Sequence, residues 1–192
     1  MFNLVPKKPG AQKTLWRLQL LTSQYLIEGS FPVDEYRVGT MDIFDLASDS
    51  TLDEGGIEAF LHLHLTDVSV QPTGVRDISE QEYTEWGMYG FNEVVAVIPK
   101  NESSLKAAQK AFKEYRYPIA VELYAGPYRL RGKILSDSTI PRRSPFLNSP
   151  IVPMEEVEIE SLLPGGGKMV KRKIPWLLLN GRGLLHGYGI VN

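Results

Sequence analysis

The sequence predicts an all-β protein with one linking α-helix, built from two tandem, duplicated small β-barrels. Three observations carry that prediction. Val121–Ile134 aligns without a gap on Leu18–Phe31 at a spacing of 103 residues, placing Tyr128 on Tyr25, Gly132 on Gly29, Leu123 on Leu20 and Ile134 on Phe31. Such self-similarity is the mark of an internal repeat. Apolar residues alternate with period two through most of the chain, the spacing of half-buried strands. Only one stretch, Asn101–Arg116, has apolar residues at helical spacing.

Taken in order, residues 1–13 hold Pro6, Pro9, Gly10 and three lysines without periodicity, and read as an N-terminal arm. The first repeat, acidic, covers 14–100. Thr14–Thr22 places Trp16, Leu18 and Leu20 on one strand face, and Gln24–Phe31 is its hairpin partner across Thr22-Ser23. Pro32–Gly56 is irregular and rich in carboxylates. Ile57–Gln71 is a long strand in which Leu61, Leu63 and Leu65 share one parity while Val68 and Val70 take the other. A strand cannot change face without an extra residue, so a bulge is expected near Thr66-Asp67. The same change recurs 89 residues on, with Met154 on Leu65, Val157 on Val68 and Ile159 on Val70. At a spacing of 90, Trp176 falls on Trp86 and Leu184-Leu185 on Val94-Val95.

The linking helix occupies 101–117. Asn101 or Ser103 can cap it, Leu105, Ala108, Phe112 and Tyr115 form its apolar face, and Pro118 ends it. The second repeat, basic, covers 118–192: Ser136–Ser149 is a loop, Pro164–Lys168 a glycine turn, and Ile174–Asn180 and Leu184–Val191 are closing strands. Five strands in roughly 75–85 residues per repeat suit a small barrel or sandwich. Packing the pair would bury more apolar surface than either alone, with the helix covering one copy or the seam.

The 192 residues contain no cysteine, which excludes disulfides, thiolate zinc sites and a cysteine nucleophile. No apolar run reaches signal-peptide length at the N-terminus or the roughly 18 residues of a membrane span, so the default location is cytoplasmic, with no membrane partner. The net charge of −2 is unevenly spread: residues 16–99 carry three arginines against 15 carboxylates, whereas 117–192 carry ten basic and six acidic residues. That asymmetry bears on partners and self-association.

Helix 101–116, Val121, Leu123, Gly126, Gly132, Asp137, Asn148 and the Arg182-Gly183 pair stand in the order of the motifs of Sm-like proteins. Residues 101–191 thus resemble that family of small five-stranded barrels, with the first repeat a poorer echo lacking helix and arginine–glycine pair. The resemblance implies that Asn148 and Arg182 match the family's RNA-contacting loops. An SH3-like barrel would give the same strand pattern.

Chemistry-bearing patterns are sparse. His62 and His64 share a strand face but lack the third ligand a metal site needs. Asp49, Thr51 and Asp53 begin like a calcium loop, yet Glu54 stands at its sixth position and Phe60 at its twelfth, where glycine and glutamate are required. No G-x-S-x-G elbow occurs, and GGGK at 165–168 lacks the phosphate-loop spacing. No catalytic residue, cofactor or metal is expected. Arg129, Arg131 and Lys133 alternate on one strand face, with Tyr124, Tyr128 and Trp176 as possible stacking surfaces, the combination that binds single-stranded nucleic acid; a solvated strand face gives the same pattern. The expected function is a non-enzymatic interaction or self-assembly module whose partner is itself or another protein. Single-stranded RNA or DNA binding by the second repeat is the alternative, and a carboxylate-dependent hydrolase at Asp45, Asp49 and Asp53 a residual one.

Overall fold

The structure, a computed structural model, describes residues 15–33, 62–73, 81–137, 151–162, 171–180 and 185–190. Among the described residues are ten strands and one α-helix: β1 (Leu15–Thr22), β2 (Tyr25–Pro32), β3 (His62–Pro72), β4 (Glu82–Gly90), β5 (Val94–Pro99), α1 (Glu102–Ala111), β6 (Tyr117–Ala125), β7 (Tyr128–Ser136), β8 (Ile151–Ser161), β9 (Arg172–Asn180) and β10 (Leu185–Ile190). The protein is all-β with one helix. Residues 34–61, which include Asp45, Asp49 and Asp53, lie outside the described residues.

All ten strands form one antiparallel ladder in the order β10-β6-β7-β8-β9-β5-β1-β2-β3-β4. The first five strands run β5-β1-β2-β3-β4 and the second five β10-β6-β7-β8-β9, the same order in each unit. Two packed barrels were expected; the hydrogen bonds instead join the units edge to edge in one sheet, through β5 and β9. Ala96 stands opposite Leu179 and Val97 opposite Leu178. The buried Asn180 extends this short contact, its Nδ2 donating to the Val94 carbonyl at 3.0 Å.

The composition of those two strands follows from their position. VVAVIP and the WLLL of β9 are continuous apolar runs because both faces are covered. Val94 and Val97 enter a core made by Trp16, Leu18, Leu20, Phe31 and Leu65 of the first unit. Val95, Ala96 and Ile98 enter a core made by Leu123, Leu130, Ile134 and Met154 of the second. From β9, Trp176 and Leu178 cross to the first core while Leu177 and Leu179 remain in the second. Each unit thus lends side chains to the other's interior.

The expected bulges are present in both units. Asp67 and Glu156, 89 residues apart, have positive φ values of 50° and 53°, a conformation that costs a non-glycine residue energy and persists only where packing enforces it. The register shifts opposite them, between Glu28 and Ser30 on β2 and between Arg131 and Lys133 on β7. The residue skipped is Gly29 in one unit and Gly132 in the other. A Cβ on Gly29 would lie 2.9 Å from Leu65 Cβ, and one on Gly132 would lie 3.0 Å from the Glu155 carbonyl oxygen. The bulge drives its strand so close to the facing one that only glycine fits. It also returns Leu65 and Val68 to one core, and Met154 and Val157 to the other.

Helix α1 packs on the first unit. Asn101 caps it, Oδ1 accepting from Ser104 N at 3.1 Å, and Asn101 Nδ2 donates to the Leu15 carbonyl at 3.2 Å, which ties the helix to β1. Ala108 and Phe112 are buried in the first core. Phe112 meets Trp176 edge-on at 6.4 Å, so the helix also covers a side chain from the second unit.

The glycine–bulge pairing has a measurable consequence. Gly29→Ala is expected to destabilise by about 1–3 kcal/mol, since the colliding atoms are a β-carbon and a backbone oxygen. Gly189→Ala, with nothing within 4 Å of the added methyl, should change stability by no more than about 0.5 kcal/mol. Equal denaturation midpoints for the two variants would remove the packing role assigned to Gly29.

Candidate functional site

The row singled out by sequence lies on β7, where alternation puts Arg129, Arg131 and Lys133 on one face. Each is matched by a carboxylate on a neighbouring strand. Arg129 Nη2 lies 3.0 Å from Glu122 Oε2 on β6, and Arg129 Nη1 lies 3.5 Å from Glu160 Oε2 on β8. Arg131 Nε approaches the same Glu122 oxygen at 2.6 Å, and Lys133 Nζ lies 2.7 Å from Glu156 Oε1. Tyr124 Oη donates to Glu122 Oε1 at 2.8 Å, and Lys171 adds contacts to Glu158 and Glu160. The row is one half of a cross-strand charge ladder, with as many carboxylates as cations.

In the first unit the sign is exchanged at one position of this row. Glu28, which occupies the position of Arg131, accepts from Arg17 Nη2 and Gln19 Nε2, both at 3.3 Å, and Gln19 occupies the position of Glu122. Asn148 and Arg182 lie outside the described residues. Of the paired histidines, His64 meets Trp86 edge-on at 5.8 Å. Among the described residues no three His, Asp or Glu side chains group as metal ligands, and no helix is long and apolar enough to cross a membrane.

The more distinctive surface is the outer edge of the sheet, which sequence did not single out. Strand β4 pairs only with β3 among the described residues. Its sequence, EYTEWGMYG, exposes Tyr83, Trp86 and Met88. The corresponding strand of the second unit, β9, is covered by β5 and by the first unit's core. Equivalent positions therefore differ sharply: Trp86 is 59% exposed and Trp176 5%, Met88 59% and Leu178 3%. The hairpin tyrosines follow suit, Tyr25 being 43% exposed and Tyr128 3%. Tyr128 Oη donates across the seam to the Thr22 carbonyl at 2.7 Å. At the far end of the sheet β10 likewise pairs only with β6 among the described residues. Large apolar side chains along an unpaired strand are unusual for a natural sheet edge, which is ordinarily shielded by charge, proline or a cover. Compared with family models, curated proteins and solved structures, the chain matches none.

Two titrations follow from these contacts. Hydrogen bonds from Arg129, then Arg131 and Tyr124, hold the Glu122 carboxyl at about 2. A depressed carboxylate pKa stabilises the fold above the unfolded value of roughly 4.3, and that contribution is lost as pH falls through about 2. NMR titration should find Glu122 ionised when ordinary glutamates are protonated, and returned towards their range in an Arg129→Ala, Arg131→Ala variant. Burial pushes the Tyr128 hydroxyl up to about 12. Its protonated form stabilises the fold below the unfolded value of roughly 10, an effect lost as pH rises through about 12. Tyr128→Phe, which removes the bond to Thr22, should cost about 1 kcal/mol in urea denaturation; an unchanged midpoint would show that the bond does not support the seam.

Proposed function

We propose that this chain is a non-enzymatic, cytoplasmic self-assembly module, in which the β4 edge of one copy pairs with the β10 edge of the next. The observation that carries the reading is the exposure of Trp86, Met88 and Tyr25 where Trp176, Leu178 and Tyr128 are buried. The β9–β5 junction inside the chain supplies the template, and duplication of one five-strand unit accounts for the matching strand order. Carrying its register over by 90 residues sets Tyr89 opposite His186 and Met88 opposite Gly187 of a second copy. Tyr25 Oη then reaches the Ala125 carbonyl as Tyr128 reaches Thr22. The contact is heterologous, so repetition closes a ring or runs on as a filament, according to the rotation per copy. The acidic first unit meeting the basic second unit of its neighbour favours that head-to-tail order.

The Sm-like reading of the second unit belongs to this proposal, supported by α1 preceding β6 and by the bend at Gly132. Nucleic-acid binding through Arg129, Arg131 and Lys133 is the weaker reading, because phosphates would compete there with carboxylates already in place.

The absence of cysteine makes the register directly testable. A Met88→Cys, Gly187→Cys variant should form disulfide-linked multimers on mild oxidation, since facing strand residues lie within disulfide reach. Trp86→Glu, at an exposed position, should leave the fold intact and give a monomer by sedimentation. A wild-type chain that sediments as a monomer at high concentration, with no cross-links in the double variant, would end the proposal.

A further inference from the structure

A cleft runs along the seam where the two units meet. Its deeper part, about 70 Å³, has apolar walls from both units, Leu21, Leu26 and Ile98 on one side and Ile159 and Ile174 on the other. Ser161 lines it too, and the Ser161 Oγ is buried without a hydrogen-bond partner, which leaves a polar group unsatisfied unless a ligand or water reaches it. A wider mouth of about 390 Å³ adjoins this part, sharing Gln19, Ile98, Arg172 and Ile174 with it and adding Lys100 and Lys173.

The charges at the mouth differ from those of the β7 ladder. Neither Arg172 nor Lys173 makes an ion pair among the described residues. Of the nearby carboxylates, Glu28 is engaged by Arg17 at 3.3 Å and by Gln19, with Lys100 at 3.9 Å, and Glu158, opposite Lys173 on β8, by Lys171 at 3.3 Å. No acidic side chain lines either part of the cleft. Cations thus stand at the entrance of an apolar slot with an unpartnered hydroxyl in its wall. The arrangement is peculiar to this seam, because Glu82 and Tyr83 occupy the equivalents of Arg172 and Lys173 on the free edge.

We infer that the seam cleft binds a short-chain carboxylate, its chain in the apolar slot and its carboxylate at Arg172. A cavity of roughly 150 Å³ holds a benzene ring, so a slot of about half that size suits an unbranched chain of about four to six carbons in preference to an aromatic ring. The guanidinium of Arg172 offers the carboxylate a fork of paired donors, which a compact ammonium does not. Each methylene taken into the slot tightens binding roughly fourfold. Because the slot draws walls from both units, an occupant favours the closed seam. The inference is independent of the edge pairing, since every residue involved belongs to one chain.

The experiment is an NMR titration of the full-length protein with sodium hexanoate, with sodium acetate and 1-hexanol as controls at matched ionic strength. Hexanoate should give saturable shifts centred on Gln19, Arg172 and Ser161, at least about tenfold tighter than acetate, which has the head without the chain. It should also bind tighter than hexanol, which has the chain without the charge. Arg172→Glu should weaken hexanoate at least about fivefold, and Leu26→Trp, which fills the slot, should do the same while leaving the spectrum dispersed. Hexanoate matched by acetate would show a surface anion effect only, and hexanoate matched by hexanol an apolar cavity without charge recognition. Either result, or variants that bind as the wild type does, overturns the inference.

Discussion

The pairing of β5 with β9 is the contact on which the rest of the structure depends. Only two residue pairs and the Asn180 side chain make its hydrogen bonds, yet β5 and the Trp176–Asn180 part of β9 are buried on both faces. Each therefore serves two cores at once, and burial at about 25 cal/mol per Å² of apolar surface acts on both sides of the same strand. Separating the units would strip Trp176 and Leu178 from one core and Val95, Ala96 and Ile98 from the other. The helix reinforces the arrangement from the first unit by setting Phe112 against Trp176. A five-strand unit alone has a modest interior; exchanging side chains across a shared edge enlarges both interiors without lengthening any strand.

Within each unit, curvature comes from one bulge facing one glycine. Asp67 with Gly29, and Glu156 with Gly132, perform the same operation: the bulged residue takes a positive φ, the long strand changes face, and the facing strand comes too near for a Cβ. The bend lets an eleven-residue strand keep its apolar side chains inside along its whole length. The φ strain is localised to a single residue per unit, where packing on both sides holds it.

Conservation of frame contrasts with exchange of charge. Glu28, bonded to Arg17 and Gln19 in one unit, and Arg131, paired with Glu122 in the other, occupy equivalent strand positions with opposite signs. Exposed pairs of this kind contribute little individually, so their signs are free to change while the glycines and bulges are not. The two units differ in surface charge on one strand order, and Arg172, which makes no ion pair among the described residues, lies at the seam.

Much of this was legible in the chain itself. The alternation of Trp16, Leu18 and Leu20, the parity change between Leu65 and Val68 and again between Met154 and Val157, the cap at Asn101 and the hairpin at Thr22-Ser23 are local. Each rests on the period of a strand or helix, which a few neighbouring residues suffice to express. What tertiary structure alone decided was which edges meet and which charges find partners. Backbone hydrogen bonding at an edge is blind to side-chain identity, so nothing in VVAVIP names β9 as its neighbour. The carboxylates that occupy Arg129 come from strands on either side, 7 and 31 residues away. The seam cleft is assembled from both units, with Leu26 and Ile159 brought to one cavity across 133 positions of chain. The sequence by itself determined the strands, their bends and the faces they bury; the folded sheet determined that two equivalent edges would fare differently, one covered within the chain and the other, among the described residues, paired on one side only.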